Sequence, residues 1–253
     1  MILANVRSCL GRDDAQLMLR LIARGSADEQ ERAEAALRDG GIDALLDDPR
    51  LLAALLESPL GARASLPVVA YVMVRHALRR AGEGDRVLAD YVAAVFMHFG
   101  LRDRATRVGE ADDEVYTPLA DLLRDAEHAG DGTGADDLAA ARRSLLVRAH
   151  LGNYALWLSG VFPDYIESRR WRRGGPDLDY YEELGRRGFA LAADHRLASQ
   201  HGLAPLYAAA AQRFALLRAA LTQVSDTFLF PNHHTPERLM RQVRDEARWR
   251  LAS

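Results

Sequence analysis

The sequence predicts an all-α, multi-helix protein. Apolar residues recur at helical spacing along most of the chain, as at Leu17, Leu21 and Ile22, and no segment has the strict apolar–polar alternation of a strand. Glycine, proline and short polar runs close the segments with this spacing, as they do at helix ends. We expect antiparallel helix hairpins followed by a C-terminal bundle of about four long helices.

The first half of the chain predicts a series of helices at 13–24, 27–38, 43–47, 50–57, 67–81, 85–99 and 113–128. Glycine follows each of the first two ranges, and Pro49 stands where proline favours a first helical turn. The ranges 67–81 and 85–99 are the most apolar pair. The segment Gly82-Glu83-Gly84 between them predicts a tight antiparallel hairpin.

The second half predicts helices at 135–159, 163–173, 178–201, 205–227 and 236–251. Thr235 followed by Pro236 is a typical cap and first turn for the last helix. Residues 131–134, Asp-Gly-Thr-Gly, are small and polar and predict a linker. The chain then divides into an acidic N-terminal helical part, 1–130, and a C-terminal helical bundle, 135–253. Because the linker is short, one compact unit is the alternative.

The composition excludes several classes of enzyme. All 33 basic residues are arginine, and the chain has no lysine. Schiff-base chemistry, a lysine general base and the phosphate-binding lysine of a P-loop therefore require residues that are missing. Pyridoxal enzymes, class I aldolases and Walker-type NTPases are excluded. Abundant Ala and Arg with scarce Ile and Asn are typical of a GC-rich genome, which favours a bacterial source.

Charge and cysteine content favour a cytoplasmic protein, and we expect no cofactor. The net charge of −3 gives no general attraction to nucleic acid or to an anionic membrane. Residues 1–135 hold 16 Arg and 23 acidic residues, a net −7, and residues 136–253 hold 17 Arg and 13 acidic residues, a net +4. Cys9 is the only cysteine, which excludes an intramolecular disulfide. The N-terminal residues lack the pattern of a signal peptide.

No segment predicts a membrane span. The most apolar stretches, 87–101 and 145–162, are interrupted by polar or charged side chains, among them Asp90 and Arg148.

Residues 154–189 combine aromatic and arginine side chains around a Gly-Gly-Pro break at 174–176. Guanidinium groups stack on aromatic rings and fork onto carboxylates or phosphates, so this composition is typical of a binding surface. We expect Trp171 to be the anchor and the neighbouring arginines to contact an acidic or amphipathic protein, which includes the chain's own acidic half or a second copy. The candidate partner-binding residues are Tyr165, Arg169, Arg170, Trp171, Arg172, Arg173, Tyr180 and Tyr181.

A structural interpretation of the same segment is that the arginines are neutralised by nearby acids and that Trp171 is part of the core. Asp164, Glu167 and Asp177 are close enough in sequence to do so, as are Asp179, Glu182 and Glu183. Nucleic acid is a weaker alternative partner, since the patch is compact and the chain is acidic overall.

Three histidines on apolar helix faces give a second hypothesis. His76, His98 and His150 would form a metal or haem pocket if their helices converged. The alternative is that each is a core or boundary histidine with its own hydrogen bonds. Di-iron bundles need two Glu-x-x-His motifs, and only Asp125-x-x-His128 comes near this pattern.

Arg196 and His201 give the alternative catalytic site. The two residues have four others between them in an all-α domain, and this spacing resembles the Arg-x4-6-His element of HEPN ribonucleases. The resemblance implies RNA cleavage by the His and Arg, usually across a dimer. Leu197 is apolar where that family usually has a polar residue, and the chain as a whole resembles no family. The leading expectation remains a non-enzymatic protein-binding, scaffold or regulatory module.

Overall fold

The computed structural model describes residues 2–100 and 135–252, and in these residues it contains helices and no strand. The predicted all-α class is confirmed. The chain divides into two compact units, which are described separately: residues 2–105 and residues 106–253. The predicted helix at 113–128 and the predicted linker at 131–134 lie outside the described residues.

The first unit contains six α-helices and two short 3₁₀ segments in its described part. The helices are α1 (Arg12–Ala23), α2 (Ala27–Gly40), α3 (Ile42–Leu46), α4 (Pro49–Glu57), α5 (Leu66–Arg80) and α6 (Arg86–Gly100), and the 3₁₀ segments are Arg7–Cys9 and Pro59–Arg63.

Helices α5 and α6 pack against each other and form the core of this unit. Tyr71 and Tyr91 are fully buried between apolar neighbours on these helices. The turn between them contains Gly82 at φ 86°, a conformation that favours glycine, as the predicted hairpin requires.

The second unit contains seven α-helices in its described part. They are α7 (Ala135–Val161), α8 (Pro163–Arg173), α9 (Leu178–Ala193), α10 (Arg196–Gln200), α11 (Ala204–Gln212), α12 (Phe214–Val224) and α13 (Pro236–Ala252). A π-helical turn, Ser225–Leu229, follows α12 directly.

Helix α7 is central in this unit, and α9 and α12 pack against it. Two glycines allow α7 and α9 to approach closely. A Cβ atom at Gly188 would lie 2.7 Å from the backbone nitrogen of Gly152, and one at Gly152 would lie 2.6 Å from the ring of Phe189. The helices therefore meet backbone to backbone, where no larger residue fits.

Two helices predicted as continuous are broken in the structure. The predicted helix at 178–201 ends at Ala193, because the buried His195 accepts a hydrogen bond through Nδ1 from the backbone N–H of Leu197, 3.2 Å away, and begins α10. The predicted helix at 205–227 is divided near Arg213 into α11 and α12. Side-chain capping and a local turn override the helical periodicity at these points. None of the described helices has the length and apolar character needed to cross a membrane.

Candidate functional site

Helix α8 presents the arginine-rich segment that the sequence singled out. Pro163 occupies the first turn, where its missing N–H is not needed, and Gly174 ends the helix at φ 66°. Ile166 and Glu167 point inward, each 1% exposed. The C-terminal half of the helix is consequently left on the surface.

Trp171 is a large exposed apolar side chain, with 65% of its surface accessible. The guanidinium carbon of Arg170 lies 5.9 Å from the centroid of its ring, in cation–π contact. Arg172 and Arg173 are exposed on the same turn, and Tyr180, at the start of α9, is 37% exposed. We call these five side chains the arginine–aromatic surface.

The other predicted binding residues are less accessible. Tyr181 is 4% exposed and meets Tyr180 edge to face at 5.6 Å between ring centroids, so it contributes to the core. Tyr165 is half-buried. Arg169 is half-buried as well, and its aliphatic stem runs so close to Gly175 that a Cβ there would meet it at 3.2 Å.

Five of the six acids that could neutralise this surface contact other groups. Asp164 pairs with Arg241 at 2.8 Å and Glu167 pairs with Arg244 at 2.8 Å. Glu182 pairs with Arg218, and Glu183 pairs with Arg186 at 2.6 Å. Asp177 accepts the backbone N–H of Tyr180 at 3.0 Å and caps α9. In the part of the chain that the structure describes, Arg170 and Arg172 form no ion pair with a carboxylate.

A groove of about 420 Å³ opens beside this surface, between α8 and the segment that joins the π-helical turn to α13. Phe162 and Phe230 form part of its apolar wall, with ring centroids 5.9 Å apart. Arg172 lines the groove from α8, and Ser168 and His233 add polar groups. The groove thus offers an apolar floor next to a cation, which suits an apolar side chain with a carboxylate close to it.

Sequence reasoning missed a set of buried ion pairs that holds α13 against α8, which we call the α13 clamp. Arg238 and Arg241 are 4% and 1% exposed. Arg241 donates to Asp164 at 2.8 Å and to Asp226 at 2.9 Å, and Arg238 pairs with Asp226 at 3.1 Å. Burial disfavours the charge of Arg241, but the hydrogen bond to Asp164 and the charge of Asp226 hold its pKa above the usual value.

Further hydrogen bonds complete the α13 clamp. Arg238 donates to the backbone carbonyls of Phe230, His233 and Asp226 at 2.6, 2.8 and 2.8 Å. The buried cations therefore have nearly all their donors satisfied, as such groups require. The sequence signal was the spacing of Arg238, Arg241 and Arg244 along one helix face.

The three candidate metal-binding histidines have separate surroundings. His76 is 8% exposed, its Nε2 lies 3.2 Å from the carbonyl oxygen of Leu46, and burial lowers its pKa. His98 meets Phe99 edge to face, and His150 stacks on Tyr154 at 6.0 Å. Among the described residues, no group of three or more His, Cys, Asp or Glu side chains is placed to hold a metal ion.

Arg196 and His201 lie at the two ends of α10, which has only five residues. Both side chains are exposed, and the backbone N–H of His201 bonds to Leu197 and Ser199 as a helix cap. The HEPN-like activity stays a prediction from their spacing.

Comparison with family models, curated proteins and solved structures gives no significant match to the chain.

Proposed function

We propose that the protein is a non-enzymatic binding module whose arginine–aromatic surface docks an acidic, amphipathic segment of another protein. One observation carries the proposal: Trp171 is 65% exposed, and among the described residues Arg170 and Arg172 beside it form no ion pair, while Asp164 and Glu167 pair with other arginines. An exposed tryptophan next to two arginines that form no ion pair with a described residue is unfavourable for a surface without a partner. Tryptophan and arginine are also the residue types most enriched at the centres of interfaces.

The geometry supports a division of roles within the surface. Arg170 lies over the ring of Trp171 in cation–π contact, and a guanidinium whose motion is restricted in this way loses less entropy when it binds a carboxylate. Arg172 lies where the surface meets the groove. We expect it to bind a carboxylate next to the apolar side chain that enters the groove, while the indole of Trp171 covers the adjoining apolar surface of the partner.

A display selection of random peptides on the full-length protein tests the proposal. We expect enriched peptides to combine acidic residues with an aromatic or aliphatic anchor. The double variant Trp171→Ala/Arg172→Ala should bind these peptides at least about 30-fold more weakly, the loss of one interface hot spot. Both side chains are exposed, so helical circular dichroism and the melting temperature should stay as in the wild type.

The matched control is Arg143→Ala, which removes an exposed arginine of α7 outside the surface. It should bind the enriched peptides with wild-type affinity. The proposal fails if no peptide family is enriched, or if the double variant binds as well as the control. Unfolding of the double variant would instead make the segment structural.

A further inference from the structure

Helix α13 is amphipathic, and its polar face is the one turned inward. Arg238 and Arg241 are 4% and 1% exposed in the α13 clamp. Three apolar side chains of the same helix are exposed: Leu239 at 55%, Met240 at 59% and Val243 at 67%. A surface helix ordinarily buries its apolar stripe and exposes its charges, so α13 is inverted. We call these three apolar side chains the α13 stripe.

The inversion is fixed by geometry. At about 100° per residue, the centre of the α13 stripe lies roughly 180° around the helix from Arg238 and Arg241. Turning the stripe inward would carry both guanidinium groups away from Asp164 and Asp226 and leave those carboxylates unpaired. The stripe is therefore held outward by the clamp.

The apolar area continues beyond the helix. Leu229 and Phe230 are 36% and 43% exposed at the end of the π-helical turn. Arg238 donates to the carbonyl oxygen of Phe230 at 2.6 Å, which places this residue beside the first turn of α13. An apolar area of this kind on a surface marks an interaction site.

Charged residues beside the stripe indicate what covers it. Glu237 and Arg244 lie on one flank of the stripe, about 20° apart around the helix and about 10 Å apart along it. Gln242 lies on the opposite flank and is neutral. Arg244 is 50% exposed although it pairs with Glu167, so part of its guanidinium is accessible. Among the side chains that the structure describes, the first flank thus carries both signs of charge and the second carries none. Glu246 follows Gln242 on the second flank, and its side chain lies outside those described.

We propose that α13 pairs with α13 of a second copy of this chain, antiparallel and about a twofold axis. In an antiparallel pair, each flank meets the same flank of the partner helix, whereas in a parallel pair it meets the opposite flank. The antiparallel arrangement therefore brings Glu237 of each copy beside Arg244 of the other. A parallel arrangement would separate Glu237 from Arg244 and set both against the flank of Gln242 and Glu246.

The charges and the apolar stripe specify the same register. Glu237 of one copy lies level with Arg244 of the other when the twofold axis passes between residues 240 and 241. This point is also the middle of the α13 stripe. Each copy contributes only a few apolar side chains, far fewer than the roughly 20–30 residues per side of a standard interface. The dimer is consequently weak, with a Kd of about 1–100 µM.

Sedimentation velocity of the full chain across this concentration range tests the dimer. Val243→Asp should raise the dimer Kd at least about tenfold, because it buries a carboxylate on both copies. Glu237→Arg should also weaken the dimer, since it sets two arginine pairs against each other. The control Glu183→Arg makes the same change of charge on α9, at an exposed residue, and should leave the dimer Kd unchanged.

Cysteine cross-linking tests the orientation in a Cys9→Ser background. In the antiparallel register the two copies of residue 240 are offset by only about 1.5 Å along the helices, and those of residue 243 by about 7.5 Å. Because a disulfide needs Cα atoms within about 7 Å, Met240→Cys should cross-link and Val243→Cys should not. A parallel pair would cross-link at both positions.

The proposal is overturned if the wild type is monomeric throughout the range, if Val243→Asp dimerises like the wild type, or if Val243→Cys cross-links as readily as Met240→Cys. The groove beside the arginine–aromatic surface shares Phe230 and Glu237 with this region, so the two proposals are separated by variants that change neither residue. Trp171→Ala/Arg172→Ala should keep the wild-type dimer, and Val243→Asp should keep its affinity for peptides selected on that surface.

Discussion

The α13 clamp gives a quantitative prediction for Asp226→Ala. The Asp226 side chain is 18% exposed and faces Arg241 and Arg238, whose side chains are 1% and 5% exposed. Removing one partner of a buried ion pair costs about 3–5 kcal/mol, because the opposite charge remains in a poorly solvated place. Asp164 still neutralises Arg241 at 2.8 Å, so we expect the lower end, about 3 kcal/mol.

Hydrogen exchange of the α13 backbone amides measures this cost locally. The helix docks on α8 largely through the clamp, so its opening free energy should fall by the full amount. A loss of about 3 kcal/mol corresponds to about a 100-fold or greater loss of protection. Exchange in α7 and α9, which form the core of the unit, should change much less.

Glu183→Ala is the matched control for Asp226→Ala. It also separates a carboxylate from an arginine, but the Glu183 and Arg186 side chains are 61% and 57% exposed, and such pairs contribute little. In Glu183→Ala, the protection of the α13 amides from hydrogen exchange should match that of the wild type. If Asp226→Ala also keeps wild-type protection in α13, the clamp does not hold the helix and the reasoning is wrong.

Three further predictions concern the folding of each unit. Gly188→Ala should destabilise the second unit by about 1–3 kcal/mol in urea unfolding, because its Cβ would meet the backbone of Gly152 at 2.7 Å. An unchanged midpoint of unfolding would contradict the close approach of α7 and α9. Gly174→Ala should cost about 1 kcal/mol, since its φ of 66° disfavours a Cβ, and a neutral effect would count against the left-handed end of α8. Burial lowers the pKa of His76, so the folded state binds fewer protons than the unfolded state, and stability should fall as pH drops below about 6.5. His76→Gln, which can still donate to Leu46, should flatten this dependence in denaturation measured from pH 7.5 to 5.5, and an unchanged slope would assign it to other groups.

The sequence predicts the helices well where local signals decide them. Helix α8 begins at Pro163 and ends at Gly174, as the first-turn proline and the glycine indicate. The break at His195 was missed because the signal is a single histidine accepting a nearby N–H, which periodicity alone does not register. The exposure of Trp171 was one of two open interpretations of the same residues.

The orientation of α13 could not be read from the sequence. Its amphipathic pattern by itself predicts that Leu239 and Val243 face the core. The structure reverses this because Asp164 and Asp226, 77 and 15 residues from Arg241, supply buried counter-charges. Such partners are set by tertiary contacts, so the pattern on one helix indicates a face without deciding which side is covered.

The dissociation constant of a display-selected peptide for the wild type and for Trp171→Ala/Arg172→Ala tests the proposed function most directly. Isothermal titration at low and at physiological salt would measure it for both proteins. We predict at least about a 30-fold weaker affinity for the variant, and a wild-type affinity that falls with salt because arginines bind the acidic peptide. Equal affinities for the two proteins, or a wild-type affinity independent of salt, would contradict docking through the arginine–aromatic surface.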